Sequence, residues 1–173
     1  MHPLLEQGLR QRIFWITHRI AIGQFATEQR AEWLLEQGVN HILNVGEGPS
    51  VVAATEVGFR TVVDVSIEDL TQIPDDVAIR CLGIIHDVLL QPDTKIYIHC
   101  IAGQNRSPTI LWLYLLACGV GEDEAKHMIA NRSPDSVPGH GKLVDNRLIE
   151  LVRRHGESEF LPLHDPSLLD PAY

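Results

Sequence analysis

Lys95-Ile96-Tyr97-Ile98-His99-Cys100-Ile101-Ala102-Gly103-Gln104-Asn105-Arg106-Ser107 is the stretch that decides the fold. Lys95 to His99 alternates Ile96 and Ile98 around Tyr97, the period of a strand. Ser107 to Ala117 is an apolar helical run that ends near Gly119. Between them, Cys100 to Arg106 is a loop with one glycine. A loop that leaves a strand and opens a helix turns its backbone N–H groups toward one point, at the positive end of the helix dipole. An anion fits there.

Working outward, strands and helices alternate. Trp15 to Thr17 and Ile20 to Ile22 read as short strands around a turn. Ala26 to Gln37 is helical, with Ala31, Leu34 and Leu35 on one face and Gly38 as C-cap. His41 to Val45 reads as a buried strand, followed by a loop at Gly46, Gly48 and Pro49. Phe59 to Val65 is another strand, and Ser66 to Ile73 a polar loop. Pro74 to Leu90 predicts a helix with Pro74 near N1. Glu122 to Asn131 and Leu143 to Arg154 complete the helices, with a Pro- and Gly-rich loop between them. The tail from Gly156 carries Pro162, Pro166 and Pro171 and is expected to be partly loose. The alternation predicts an α/β fold with a mostly parallel central sheet flanked by helices. The 173 residues predict a single domain over 1–173, with its core at about 13–155.

Apolar residues make up 45% and charged residues 21%, an ordinary globular composition. The net charge of -9 and the lack of a Lys/Arg run argue against a nucleic-acid partner. Arg10 with Arg12, and Arg153 with Arg154, read as solvated helix positions. Cys81, Cys100 and Cys118 have no zinc-like spacing, and the nine histidines are scattered, so no metal is expected. Met1 to Phe14 lacks the long apolar core of a secretion signal. The longest apolar run, Ile110 to Cys118, is too short to span a bilayer. A cytoplasmic location is expected, which suits a free thiol. No membrane partner and a monomeric chain are expected.

The loop chemistry follows from residue types. Gly103 permits the backbone angles of a tight concave loop. The Arg106 fork can grip two phosphate oxygens at once. Cys100 heads the cradle, where a helix N-terminus and nearby cations favour a thiolate. Its sulfur would attack phosphorus in line while the loop amides of Ile101, Ala102, Gly103, Gln104 and Asn105 hold the equatorial oxygens. The Ser107 hydroxyl is placed to donate to the Cys100 sulfur when it leaves. Cys81, Cys118, Trp112 and Tyr114 read as core. A disulfide between Cys81 and Cys100 under oxidation stays open.

His99 to Ser107 reads His-Cys-x-x-Gly-x-x-Arg-Ser, followed by Pro108 and Thr109. This resembles the signature of the protein tyrosine phosphatase superfamily, and within it the small dual-specificity phosphatases. Ile20 to Gly23 resembles that family's opening strand, and Leu35 to Val45 its helix-to-strand passage. The resemblance implies a cysteine-dependent phosphatase, without cofactor, acting on a phosphorylated protein or small phosphoester. It implies an aspartate general acid on a separate loop. Val65 to Asp69 resembles that loop, and Asp69 lies 31 residues before Cys100, a spacing typical of these enzymes. Asp69 is therefore assigned, with Glu68 second. Asp75 and Asp76 fit a helix start for dipole reasons, and Asp64 lies in a strand. For His99 the resemblance implies a supporting part, hydrogen-bonding near the loop and favouring the thiolate.

None of Ile101, Ala102, Gln104 and Asn105 is basic, which argues against highly phosphorylated lipids. Asn105 beside Arg106 is similar to the related RNA 5′-triphosphatases, which usually carry His before the glycine and Thr after the arginine; here these are Ala102 and Ser107. The chemistry of the loop also admits a phosphate-recognition pseudophosphatase module and a rhodanese-type sulfurtransferase. Retention of Cys100, Arg106, Ser107 and Asp69 argues against the first. The His99 to Ser107 signature and the acid-loop spacing argue against the second.

Overall fold

The computed structural model describes residues 13–50 and 58–172, together with Pro3. Arg10 and Arg12 lie outside the described residues. Five strands, β1 (Ile13–Trp15), β2 (Ile20–Gly23), β3 (His41–Asn44), β4 (Thr61–Asp64) and β5 (Ile96–His99), form one sheet in the order β1-β2-β5-β3-β4. Only β1 runs antiparallel to its neighbour; the other pairings are parallel. The expected α/β fold is what the chain adopts.

The pleat sorts the side chains. Ile20, Ile22, Ile96, Ile98 and Leu43 face the larger core. There they meet helices α2 (Asp75–Leu90), α3 (Arg106–Ala117), α4 (Glu122–Arg132) and α5 (Asn146–Glu159). Ala21, Tyr97 and Ile42 face the other way, onto Ala31, Trp33 and Leu34 of α1 (Glu28–Glu36). β5 lies between β2 and β3 and has a core on each side, so both of its faces are buried. The sheet therefore presents the loop after β5 at the middle of its C-terminal edge. This is where open parallel sheets hold ligands.

Several boundaries differ from the sequence reading. The first strand lies at Ile13–Trp15, not Trp15 to Thr17, because Ile16 N–H and Thr17 N–H turn back to the Ile20 carbonyl. Pro74 is the N-cap of α2, extended at ψ 143°, rather than N1. α3 begins at Arg106, one residue early. The last helix starts at Asn146, because the Asp145 carboxylate accepts the Leu148 N–H at 2.8 Å, and it continues through Gly156 to Glu159.

The tail is held rather than loose. His86 Nε2–H donates to the Leu161 carbonyl at 2.7 Å, and its ring stacks on Phe160 at 4.1 Å. Ala172 N–H donates to the Ile16 carbonyl. Arg153 is not a solvated position, since its guanidinium lies 3.4–3.5 Å from the Val120 and Leu116 carbonyls just past and at the end of α3. Arg154 is solvated, paired only with exposed Glu150. Among the described residues no helix is long and apolar enough to cross a membrane.

Candidate active site

The cradle is built by the turn from β5 into α3. Cys100 is buried directly after β5. The Gly103 N–H donates to its sulfur at 3.2 Å, and the Ser107 hydroxyl lies 3.4 Å from the same atom. Gly103 sits at φ +76°, and a Cβ there would stand 2.7 Å from the Gly23 carbonyl carbon. Only glycine lets the cradle lie this close to the end of β2. On its outer side, the Ile101 carbonyl accepts from Phe25 N–H and the Gln104 carbonyl from Val137 N–H. No side chain caps the N-terminus of α3, and its first turn carries no acid. Its first N–H groups thus remain available to an anion.

Arg106 is 6% exposed. Its Nη1 donates to the Ile67 carbonyl at 3.0 Å, which orients the fork. Its Nε has no hydrogen-bond partner and faces the Asp69 carboxylate at 3.8 Å. The sequence-assigned acid therefore reaches the cradle. Asp69 is 35% exposed at its side chain, lies 3.4 Å from Asn105 Nδ2, and accepts the Leu70 N–H at 3.0 Å. Leu70 holds φ +55°, a left-handed position that a non-glycine residue rarely takes, and it closes the turn carrying Asp69.

The competing acids are accounted for. Burial would raise the Asp64 carboxyl, but hydrogen bonds from Ser50 and Asn44 outweigh it and hold the group below its usual range. Asp75 pairs with Arg147 at 2.7 Å, whose hydrogen bonds keep it low. Glu68 is exposed and makes no hydrogen bond or ion pair to the cradle.

One cradle neighbour escaped the sequence reading. Glu47 Oε1 lies 3.6 Å from Arg106 Nη1 and accepts the Asp69 N–H at 3.5 Å. It follows β3, at the same C-terminal edge of the sheet as the cradle. That placement is the signal that could have found it.

His99 is fully buried, between Tyr97 and Phe25. Burial pushes its pKa down to about 4, so the ring is neutral near pH 7. Nδ1–H donates to the Cys100 carbonyl at 3.1 Å, which fixes the tautomer and leaves Nε2 without a partner. Its support is thus positional, not that of a cation. A histidine kept neutral in the fold but free to charge when unfolded penalises folding in acid. Stability is unaffected above about pH 6.5, then falls until about pH 4, where the folded ring also protonates. A thermal-melt series over that window is expected to lose about 3 kcal/mol from this group. The slope should be shallower in His99→Gln, and equal slopes would refute the assignment.

Burial raises the Cys81 thiol to about 12 and the Cys118 thiol to about 11. Both are protonated and inert near neutrality, and all three cysteines are free. Trp112 and Tyr114 are buried in the core. Among the described residues no cluster of three metal-ligating side chains occurs.

No family model matches the chain. A dual specificity protein phosphatase 1B of Arabidopsis thaliana is 28% identical over 141 residues, covering 80% of each protein. The PRL-1 phosphatase of Drosophila melanogaster is 29% identical over 123 residues, 69% of this chain and 67% of that one. Among solved structures, PTPMT1 in complex with PI(5)P superposes with a TM-score of 0.67 at 19% identity, covering 82% of this chain and 95% of that one. With its cysteine-arginine cradle and the sheet that presents it, the chain is similar to the small dual-specificity phosphatases of the protein tyrosine phosphatase superfamily.

Proposed function

We propose that the chain is a cysteine-dependent phosphatase that hydrolyses phosphotyrosine and phosphoserine or phosphothreonine in proteins through a phosphocysteine. The supporting observation is the meeting of two chain segments, the cradle from Cys100 to Ser107 and the loop of Asp69. Cys100 Sγ has the Gly103 N–H and the Ser107 hydroxyl within reach, and the Arg106 guanidinium of the same cradle faces Asp69.

In the first step the Cys100 thiolate forms an S–P bond as the ester O–P bond breaks. Asp69 gives its proton to the leaving oxygen. The loop amides and Arg106 hold the charge on the equatorial oxygens. In the second step water attacks phosphorus, Asp69 takes its proton, and the S–P bond breaks. The Ser107 hydroxyl donates to the departing sulfur. Cys100, Arg106, Asp69 and Ser107 carry the chemistry in this reading, and Ile101 to Asn105 bind the phosphoryl group.

The likeness to PTPMT1 is one of fold. The variable cradle positions Ile101, Ala102, Gln104 and Asn105 bring no cation toward a phosphoinositide headgroup, which favours a protein substrate. A reducing, cytoplasmic setting belongs to the same proposal, because the mechanism needs a free Cys100 thiol.

The test is turnover of p-nitrophenyl phosphate by reduced protein without added metal. Cys100→Ser is expected to abolish it, and Asp69→Asn to lower kcat about a hundredfold. A wild-type chain that binds vanadate yet turns nothing over would instead be a phosphate-recognition module.

A further inference from the structure

Beside the cradle lies a cleft of about 240 Å³. Its floor is the contact between the Gly23 and Gly103 backbones. Phe14 supplies an apolar wall, and Gln24, Gln104 and Asp135 supply polar ones. This volume is below that of pockets for drug-sized ligands and suits one long side chain.

Asp135 is the one charged residue of the lining, which contains no Lys or Arg. Asp135 is exposed and has no hydrogen bond or ion pair within the described residues. The basic residue before it in the chain, Arg132, is turned away to the Trp15 carbonyl. The Gln24 side-chain oxygen is taken by Arg30, whereas the Gln104 amide is exposed at the cleft. A free carboxylate, an amide oxygen and an aromatic side chain around one small space suit a guanidinium or ammonium group. The Asp135 carboxylate repels a second phosphate.

Gly103 and Gln104 belong to both cradle and cleft. An occupant therefore sits within about two residues' reach of the phosphoryl group, roughly 7 Å along an extended chain. Resting on the phosphatase reading above, we propose that the cleft receives an arginine or lysine side chain adjacent to the phosphorylated residue of a protein substrate. The cleft thereby selects basic phosphosites.

The experiment measures binding of phosphotyrosine peptides to the Cys100→Ser chain, which holds substrate without turning it over. The peptides carry Arg, Gln or Glu on both sides of the phosphotyrosine. The Arg peptide is expected to bind about fivefold tighter than the Gln peptide, the upper range for one exposed ion pair, and the Glu peptide most weakly. Asp135→Asn should remove most of that preference and Asp135→Lys should reverse it. Asp87→Asn, which changes net charge equally on the exposed side of α2, should keep it. Equal affinity of the Arg and Gln peptides, or a preference that survives Asp135→Lys, overturns the assignment.

Turnover of p-nitrophenyl phosphate by the unmodified chain separates the two claims. Turnover without peptide preference overturns the cleft alone. Preference without turnover overturns the phosphatase reading alone. Failure to bind any of the peptides overturns the cleft as a peptide subsite.

Discussion

Arg106→Lys is expected to lower kcat/KM on p-nitrophenyl phosphate about a thousandfold, although it keeps the positive charge. The guanidinium does two things at once in this structure. Nη1 holds the Ile67 carbonyl at 3.0 Å, and Nε, beside Asp69 and without a hydrogen-bond partner, is left for a phosphoryl oxygen in the proposed reaction. A lysine ammonium is a single point on a flexible stem and cannot span both. It would either leave the buried Ile67 carbonyl unpaired or abandon the phosphate. The loss should fall mainly on kcat, because the two-oxygen grip tightens as charge develops on the transferring group. Steady-state kinetics with a thermal melt on the same sample checks this. A folded variant retaining a tenth of wild-type kcat/KM would mean that charge alone suffices.

Gly156→Ala is expected to cost about 3 kcal/mol of stability and roughly 10 °C in Tm, with the cradle chemistry unchanged in whatever remains folded. A Cβ at Gly156 would stand 1.9 Å from the Ala117 carbonyl oxygen and 2.6 Å from its carbon. These are backbone atoms at the end of α3, so neither can swing aside. The helices must move apart, and α5 is the element that Arg153 ties to the same helix end. Gly83→Ala is the control: this glycine lies inside α2 and a Cβ there meets nothing within 4 Å. Helix propensity alone then predicts a gain of a few tenths to about 1 kcal/mol. Differential scanning fluorimetry of both variants decides. A Gly156→Ala melt as high as wild type would show that the α3–α5 contact yields easily.

Both results bear on what could be read in advance. The cradle was legible because it is local. Strand period, glycine, arginine and helix follow one another from Lys95 to Ala117, and their geometry depends on neighbours in the chain. Asp69 was legible through the resemblance of Val65 to Asp69 to the family's acid loop, and the structure puts it beside Arg106. Glu47 was legible at most as a loop residue at the cradle's end of the sheet; its pairing with Arg106 joins residues that only the sheet order brings together. The neutral state of His99 was hidden too, since it follows from complete burial between Tyr97 and Phe25. The tail was misread because prolines suggest looseness locally, while the His86 ring and the Ile16 carbonyl hold it from afar.

A family resemblance pointed to the loop of Asp69, and the amino-acid sequence by itself determined the alternating strands and helices and the anion cradle from Cys100 to Arg106. Each is written in consecutive residues through side-chain period, backbone freedom and charge. Only the tertiary structure decided that β5 lies between β2 and β3, that the Ile67 carbonyl and Glu47 orient Arg106, that Gly156 must lack a side chain, and that Asp135 faces a cleft beside the cradle. Those features are distances between segments far apart in the chain. They exist only once the two cores have closed on the sheet and set where each loop must stand.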